Sequence, residues 1–237
     1  MTFKSKWIAI IILLLSTSIL AEAQQSDKFK TQFKFGVSGG AVFSEVDFAP
    51  KIALSTTQGI SAGISAKFIS ERHLGVLAEL NYTQRGWTED FSDNPDLNPD
   101  HSYNRTLNYI ELPLLTHIYF GDKVRFIINI GPQISYMIGD KGYMNNALSN
   151  YIDGELEKDP NRPIGIQYKS IDNKFDYGLI GGLGIEFNTP VGSFDLQGRY
   201  YFGLGDSFDN TRSSSSNFSR SAHRYFGGKL TYYFLSF

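Results

Sequence analysis

Hydrophobic and polar residues alternate along this chain with a period of two. The alternation is clearest from Lys123 to Ile138, where the even positions are apolar or aromatic and the odd positions include Arg125 and Asn129. Such a pattern predicts a β-strand with one apolar face. Each predicted strand is close to the length of about ten residues that a tilted strand needs to cross a bilayer. The pattern occurs in eight segments: 33–43, 60–68, 74–82, 110–120, 124–138, 175–187, 194–204 and 226–234.

Charged residues within these segments fall on the face opposite the apolar one. In water, an apolar face this rich in Phe and Tyr would form a large adhesive patch, whereas a membrane barrel turns it to lipid. A soluble barrel would show the reverse, with an apolar interior. Aromatic residues also gather near both ends of the segments, as expected at the two membrane interfaces. The charged residues predicted to face the lumen are Lys34, Lys67, Glu79, Arg85, Glu111, Arg125, Asp176, Glu186, Asp195, Arg199 and Lys229.

The connections between the segments alternate between long and short. The long ones are 44–57, 86–106, 139–173 and 205–222, and the short ones are 69–73, 121–122 and 188–193. Short periplasmic turns and longer outer loops are typical of outer-membrane barrels. The sequence therefore predicts an all-β fold, a monomeric eight-stranded antiparallel up-and-down transmembrane β-barrel with both termini on the periplasmic side.

The first 23 residues have the features of an export signal. Lys4 and Lys6 precede an apolar run over 8–15, and Ala21-Glu22-Ala23 matches a signal-peptidase site. A membrane anchor is the alternative, but the apolar run is much shorter than the roughly 20 residues of a spanning helix. We expect residues 1–23 to be a cleaved signal peptide and residues 24–237 to form the outer-membrane barrel domain.

Composition excludes several classes of protein. The chain has no cysteine, which rules out disulfide scaffolds, zinc ribbons and thiol enzymes. Its formal net charge of -2 gives no electrostatic reason to expect nucleic acid as a partner.

The predicted lumen contains five acidic and six basic side chains. An eight-stranded barrel is just wide enough for side chains to fill it, so a wide pore is not expected. Nearly balanced charges favour a structural network of ion pairs, because buried charges must be partnered. The alternative is a gated path for ions or solutes, constricted where Glu111 meets Arg125 or Arg199.

Candidate catalytic and metal sites are weak. His101-Ser102 lies near Asp96 and Asp100 in a long loop, but a mobile polar loop offers little support for nucleophilic catalysis. The acidic residues of the same loop lack the central Gly and terminal Glu of a calcium-binding EF-hand loop. No catalytic, cofactor-binding or metal residue is therefore assigned, and no cofactor is expected. The acid-rich string is Asp90, Asp93, Asp96, Asn98 and Asp100.

Several motifs resemble a known family. Arg85-Gly86-Trp87 and the stretches 108–115, 130–133 and 181–187 resemble the Bacteroidetes outer-membrane β-barrel family. Asp176-Tyr177-Gly178 and 199–204 resemble, within it, the PorT (or SprT) proteins. That resemblance implies a non-enzymatic component of the outer membrane that supports type IX protein secretion and gliding assembly, with secretion-machinery proteins as partners.

Two other functions remain open from the residues alone. One is a general structural or adhesive barrel, OmpA-like without a peptidoglycan domain, and the other is a lipid-modifying enzyme that would use His101 and Ser102. Tyr143, Tyr151 and Tyr168 in the third long loop suit contacts with a partner protein or a surface polysaccharide. The outer face is expected to contact membrane lipid and lipopolysaccharide.

Overall fold

The computed structural model of the chain describes residues 29–92, 100–159, 165–209 and 219–237. One α-helix, α1 (Asn146–Lys158), and a short 3-10 helix (Ile166–Tyr168) follow the sixth strand. The strands in this part of the chain are β1 (Gln32–Ala49), β2 (Leu54–Ser55), β3 (Thr57–Glu71), β4 (Leu74–Glu89), β5 (Tyr103–Gly121), β6 (Val124–Met144), β7 (Phe175–Thr189), β8 (Gly192–Gly203) and β9 (Arg220–Ser236).

Eight long strands form a closed ring. Each pairs antiparallel with the next long strand along the chain, and β9 pairs with β1, which closes the sheet. The two-residue strand β2 pairs with the end of β4 and continues the line of β3. The predicted eight-stranded antiparallel up-and-down barrel is thereby confirmed.

The two ends of the barrel differ. At one end, which we call the turn end, tight turns join β3 to β4, β5 to β6 and β7 to β8, and the two terminal strands begin and finish. Gly121 and Gly192 flank two of these turns with φ of 104° and 136°, a conformation that residues with a side chain rarely adopt. The opposite end carries the long connections, and we call it the loop end.

Side chains alternate between the interior and the outer surface. Over most of each long strand the outer side chains are large and apolar, such as Leu112, Ile130 and Leu183, and this part of the barrel is called the membrane band. Phe33 and Phe68 face each other near the turn end, and Tyr136 and Phe175 face each other nearer the loop end. The aromatic residues therefore lie near both edges of the membrane band.

Several strands extend further toward the loop end than predicted. β1 ends at Ala49 instead of residue 43, and β6 ends at Met144 instead of residue 138. The added segments 45–49, 86–89, 103–108 and 139–144 are called the loop-end extension. These strands were not predicted because most of their buried residues are apolar, such as Val46, Phe48 and Leu107, whereas the pattern of the membrane band places apolar residues on the outer face. The third long connection is also shorter than predicted and contains α1.

Two register shifts mark the edges of the membrane band. On β6, Ile138 has no partner between the pairs Asn108–Gly139 and Tyr109–Met137. On β9, a shift opposite Phe35 and Gly36 keeps the last residues in the sheet, and Phe237 exchanges backbone hydrogen bonds with Phe33 at 2.9 and 3.0 Å. With strict alternation along β9, Phe237 would face the lumen on the same side as Lys229. The register shift instead places Phe237 opposite Phe33, which faces outward.

Some predictions fall outside the described residues. They concern the signal peptide over residues 1–23 and three members of the acid-rich string, Asp93, Asp96 and Asn98. Within the described ranges, no helix is long and apolar enough to cross a membrane.

Candidate functional site

The interior of the membrane band holds all eleven charged residues assigned to the lumen. Ten of them are buried, and Arg125, near the turn end, is partly buried. The structure sorts them into three groups along the barrel axis. These are the turn-end ion cluster (Lys34, Lys67, Arg125, Glu186 and Asp195), the central ion cluster (Glu79, Arg199 and Lys229) and the loop-side ion cluster (Arg85, Glu111 and Asp176).

The turn-end ion cluster is centred on Glu186. This carboxylate accepts hydrogen bonds from Lys34, Lys67 and Arg125, so three cations from three strands converge on it. Lys67 also donates to Asp195 at 2.7 Å. Because Glu186 and Asp195 are directly opposite on β7 and β8, their charges would repel each other without the lysine between them.

The central ion cluster is centred on Glu79. Arg199 donates to both of its carboxylate oxygens, at 2.7 and 2.9 Å, and Lys229 donates to one of them at 2.7 Å. A bidentate pair of this kind fixes both side chains in one geometry. The cluster joins β4 to β8 and β9 across the lumen and so ties distant strands together.

The loop-side ion cluster surrounds one buried guanidinium. Nη1 of Arg85 lies 3.0 Å from Asp176, and Nε lies 3.6 Å from Glu111. The Arg85 guanidinium also lies 3.8 Å from the centre of the Tyr109 ring, which favours a cation–π contact. The hydroxyls of Tyr201 and Tyr225 donate to Asp176 and Glu111, so the acidic groups have neutral partners as well.

An apolar core closes the loop end of the barrel. Trp87 and Phe48 pack edge to face with ring centres 5.5 Å apart, and Phe208 packs against both. Leu148 of α1 reaches the same cluster, so the helix covers the opening. We call this group the loop-end core; its buried members are Val46, Phe48, Trp87, Phe91, Tyr103, Leu107, Tyr109, Met137, Leu148, Ile171 and Phe208.

Polar contacts hold the covering segment in place. Asn145 caps α1 by accepting a hydrogen bond from the Leu148 amide at 3.1 Å. Arg105 pairs with Asp140 and donates to the backbone carbonyls of Gln167 and Lys169. The Tyr168 hydroxyl donates to Glu89, and burial together with that neighbouring charge raises the pKa of Tyr168.

The described interior leaves little free space. One cavity between the central and loop-side clusters has a volume of about 30 Å³ and is lined by Glu111, Arg199 and Lys229, among others. That is room for about one water molecule. The constriction considered from the sequence does not form, because the ion pairs join Glu111 to Arg85, Arg125 to Glu186 and Arg199 to Glu79.

His101 and His117 contact aromatic or polar neighbours. His101 packs between the rings of Phe91 and Tyr151. Nδ1 of His117 shares a hydrogen bond with Asn129 inside the barrel, whereas its buried Nε2 has no partner in the described structure. Within the described parts of the chain, no three side chains of the kinds that bind metal come together.

The sequence analysis did not predict the charged residues on the outer surface of the loop-end extension. Glu45 and Asp47 face outward on β1, and Asp47 pairs with Arg220 and Arg224 of β9 at 3.4 Å. A change of face was visible in the sequence, because the apolar residues of this segment move from odd positions ending at Phe43 to even positions beginning at Val46.

Comparisons with known proteins agree with this architecture. The model of a family described as outer membrane protein beta-barrel domain matches residues 22–209. No curated protein matches the chain.

Solved structures give distant similarities. OprG from Pseudomonas aeruginosa is 9% identical, with 87% of this chain and 95% of that chain covered and a TM-score of 0.46. Ail, the attachment invasion locus protein of Yersinia pestis, is 12% identical, with 86% and 98% covered and a TM-score of 0.40. Neisserial surface protein A is 12% identical, with 84% and 96% covered and a TM-score of 0.39. Similarities at this level carry no functional information.

Proposed function

Because the chain belongs to the outer membrane protein beta-barrel domain family, we propose that it is a closed, non-enzymatic barrel of the outer membrane that binds partner proteins at its ends. The observation that supports this most strongly is the filled interior. Three ion clusters occupy the membrane band, and the loop-end core lies above them. A solute would have to break both ionic and apolar contacts to cross.

The structural role proposed for the eleven lumen residues follows from their pairing. Breaking a buried ion pair on one side leaves an uncompensated charge, so each cluster holds its strands in one register. The clusters join strands on opposite sides of the ring, for example β4 to β8 and β3 to β7. We assign them to the stability of the closed barrel and not to transport.

Conductance across a planar lipid bilayer tests the closed state. The purified full chain should give no stable current steps, and Glu79→Ala, which leaves Arg199 and Lys229 without their carboxylate, should give transient openings. Stable open channels in the unaltered protein would contradict the proposal. Glu45→Ala, a charge removed from the outer surface of the same barrel, is the matched control and should remain closed.

The more specific role is the one that the PorT resemblance implies. A barrel without a conducting lumen can act in type IX secretion as a docking component, with secretion-machinery proteins as its partners. Deletion of the gene should then cause cargo proteins to accumulate in the periplasm, and the full chain should restore their secretion. An unchanged set of secreted and surface-attached proteins would rule out this role.

A structural or adhesive role is the second candidate. Tyr143 is 69% exposed on the loop-end extension, and the Tyr151 ring is partly exposed on α1. Aromatic side chains held on a rigid support are typical of recognition surfaces. Loss of attachment to a host surface or a polysaccharide in Tyr143→Ala, with secretion unaffected, would favour this role over secretion.

Export and membrane contacts complete the proposal. We propose that residues 1–23 are removed on export, and amino-terminal sequencing of the protein from purified outer membranes should then begin at Gln24. We assign the apolar outer face of the membrane band to contact with membrane lipid and lipopolysaccharide. Because one chain closes the ring, we propose that the protein is a monomer.

A further inference from the structure

The positive charge of the lumen is concentrated at the turn end. In the loop-side ion cluster two acidic groups surround Arg85, and in the central ion cluster two cations surround Glu79. These two clusters together are neutral. The turn-end ion cluster has three cations and two acidic groups, so the excess positive charge of the lumen lies there.

The rim around this cluster adds to the excess. Lys30 and Lys123 are exposed at the same end, whereas Asp122 is the acidic residue of the β5–β6 turn. Glu71 and Arg72, in the β3–β4 turn, cancel each other. The turn end therefore remains positive, although the whole chain has a formal net charge of -2. Low-dielectric walls focus such a field at an opening.

A recess at the turn end is lined by several of these cations. Its volume is about 680 Å³, and Lys30, Lys34, Lys123 and Arg125 all line it. Apolar side chains from β9 and the β7–β8 turn, including Leu235 and Val191, complete the wall. Ligand-binding pockets typically have volumes of about 300–1,000 Å³ and combine apolar walls with a few polar groups, and the recess has both features.

The cations that line the recess differ in how many of their hydrogen-bond donors have an acceptor. Lys34 donates to Glu186, Asn188 and Ser193, which uses all of its donors. Arg125 donates to Glu186 through Nη1, but its buried Nε has no acceptor in the described structure. A buried donor without an acceptor is unfavourable. An incoming carboxylate would meet Arg125 on the floor of the recess, with the two exposed lysines on the rim.

We propose that this recess binds an acidic peptide segment of a periplasmic protein. The proposal rests on the proposed function, since it identifies the turn end as one docking surface and gives the chemistry of its partner. Charge complementarity supports a carboxylate-bearing segment, and the apolar wall suits aliphatic residues beside the carboxylates. The positive field would also accelerate encounter with such a partner at low salt.

A labelled hexaglutamate peptide is the probe for this recess. Its binding to the full chain in zwitterionic detergent micelles is measured by fluorescence anisotropy, with a hexalysine peptide as the reverse-charge control. The test variant is Lys30→Glu with Lys123→Glu, because both side chains are exposed and the barrel should fold unchanged. The matched control is Lys141→Glu with Lys158→Glu, which makes the same change of charge at the loop end.

We expect hexaglutamate to bind the unaltered protein and the loop-end control equally. The rim variant should weaken binding about tenfold or more, and added salt should weaken binding to the unaltered protein. No binding, or the same loss in both double variants, would overturn the proposal. Binding of inorganic phosphate without binding of hexaglutamate would also overturn it, in favour of a phosphate site.

The outcome is separable from that of the proposed function. A protein that gives no current in a bilayer and does not bind hexaglutamate is still a closed barrel, and only the periplasmic docking site fails. Stable open channels would instead contradict the closed barrel, whether or not hexaglutamate binds.

Discussion

The membrane band buries most of its charged residues, whereas the loop-end extension buries mainly apolar ones, although the same strands build both. On β5, Glu111 faces inward and Leu112 faces outward in the membrane band, whereas Leu107 faces inward and Thr106 faces outward in the loop-end extension. The solvent outside the wall explains the difference. Lipid favours apolar side chains on the outer face, and water favours polar ones.

The two regions also differ in what holds them together. Most apolar residues of the membrane band face the lipid, so its interior combines paired charges with small apolar clusters, such as the one around Leu77 and Leu115. The loop-end extension buries Phe48, Trp87 and Leu107 as a water-soluble domain would. Variants placed at corresponding positions of the two regions should therefore behave differently.

The largest difference is expected for charges. Glu79→Ala should lower the free energy of unfolding by about 3–5 kcal/mol, because Arg199 and Lys229 would remain buried without their carboxylate. Glu45→Ala, on the outer surface of the loop-end extension, should change it by less than about 0.5 kcal/mol. Urea unfolding in phospholipid vesicles measures both. Equal effects would mean that the lumen charges are hydrated and not paired.

Aromatic residues of one strand provide the next test. Phe48→Ala should lower the free energy of unfolding by about 3–5 kcal/mol because it leaves a cavity in the loop-end core. Phe43→Ala should lower it less, because lipid fills the space on the outer face. Trp87 is the only tryptophan within 24–237, so its fluorescence reports the packing beside Phe48 directly. An unchanged spectrum in Phe48→Ala would argue against this core.

Insertion of an arginine should map the edge of the membrane band. Leu112→Arg should lower the free energy of unfolding by about 2–4 kcal/mol, because a charge would face the hydrocarbon. Thr106→Arg, six residues away on the same face of β5, should change it by less than about 0.5 kcal/mol, since that face meets water. Similar losses at both positions would place the edge of the membrane beyond residue 106.

The smallest effect is expected at the surface ion pairs. Asp47→Asn removes the carboxylate that lies 3.4 Å from Arg220 and Arg224 and is 39% exposed. Its loss should lower the free energy of unfolding by less than about 1 kcal/mol, and the difference should vanish at high salt. A salt-independent loss would show that this pair behaves as a buried one.

The sequence predicted the membrane band well because one physical rule governs it. Period-two alternation with charges on one face indicated eight strands, their order and the placement of residues such as Glu79 and Arg199 inside. The same rule could not predict which charges pair, since Arg125 and Arg199 both face the lumen but bind different carboxylates. Pairing depends on height along the axis and on strand register.

The loop-end extension was not predicted because the rule reverses there. Val46 and Phe48 continue the alternation of β1 but with the opposite face apolar, and the bulge at Ile138 shifts the register of β6. The loop-end core also joins Trp87 to Leu148 and Phe208 from distant segments. No local pattern in a single strand contains such a contact.

Chemical labelling of single cysteines tests the central claim most directly. The chain contains no cysteine, so each variant carries one thiol. With a membrane-impermeant maleimide on intact cells, Thr106→Cys should be labelled, whereas Leu112→Cys in lipid and Leu107→Cys in the core should remain unlabelled. Labelling at Leu112 or Leu107, or protection at Thr106, would contradict a membrane band and an extension of opposite polarity.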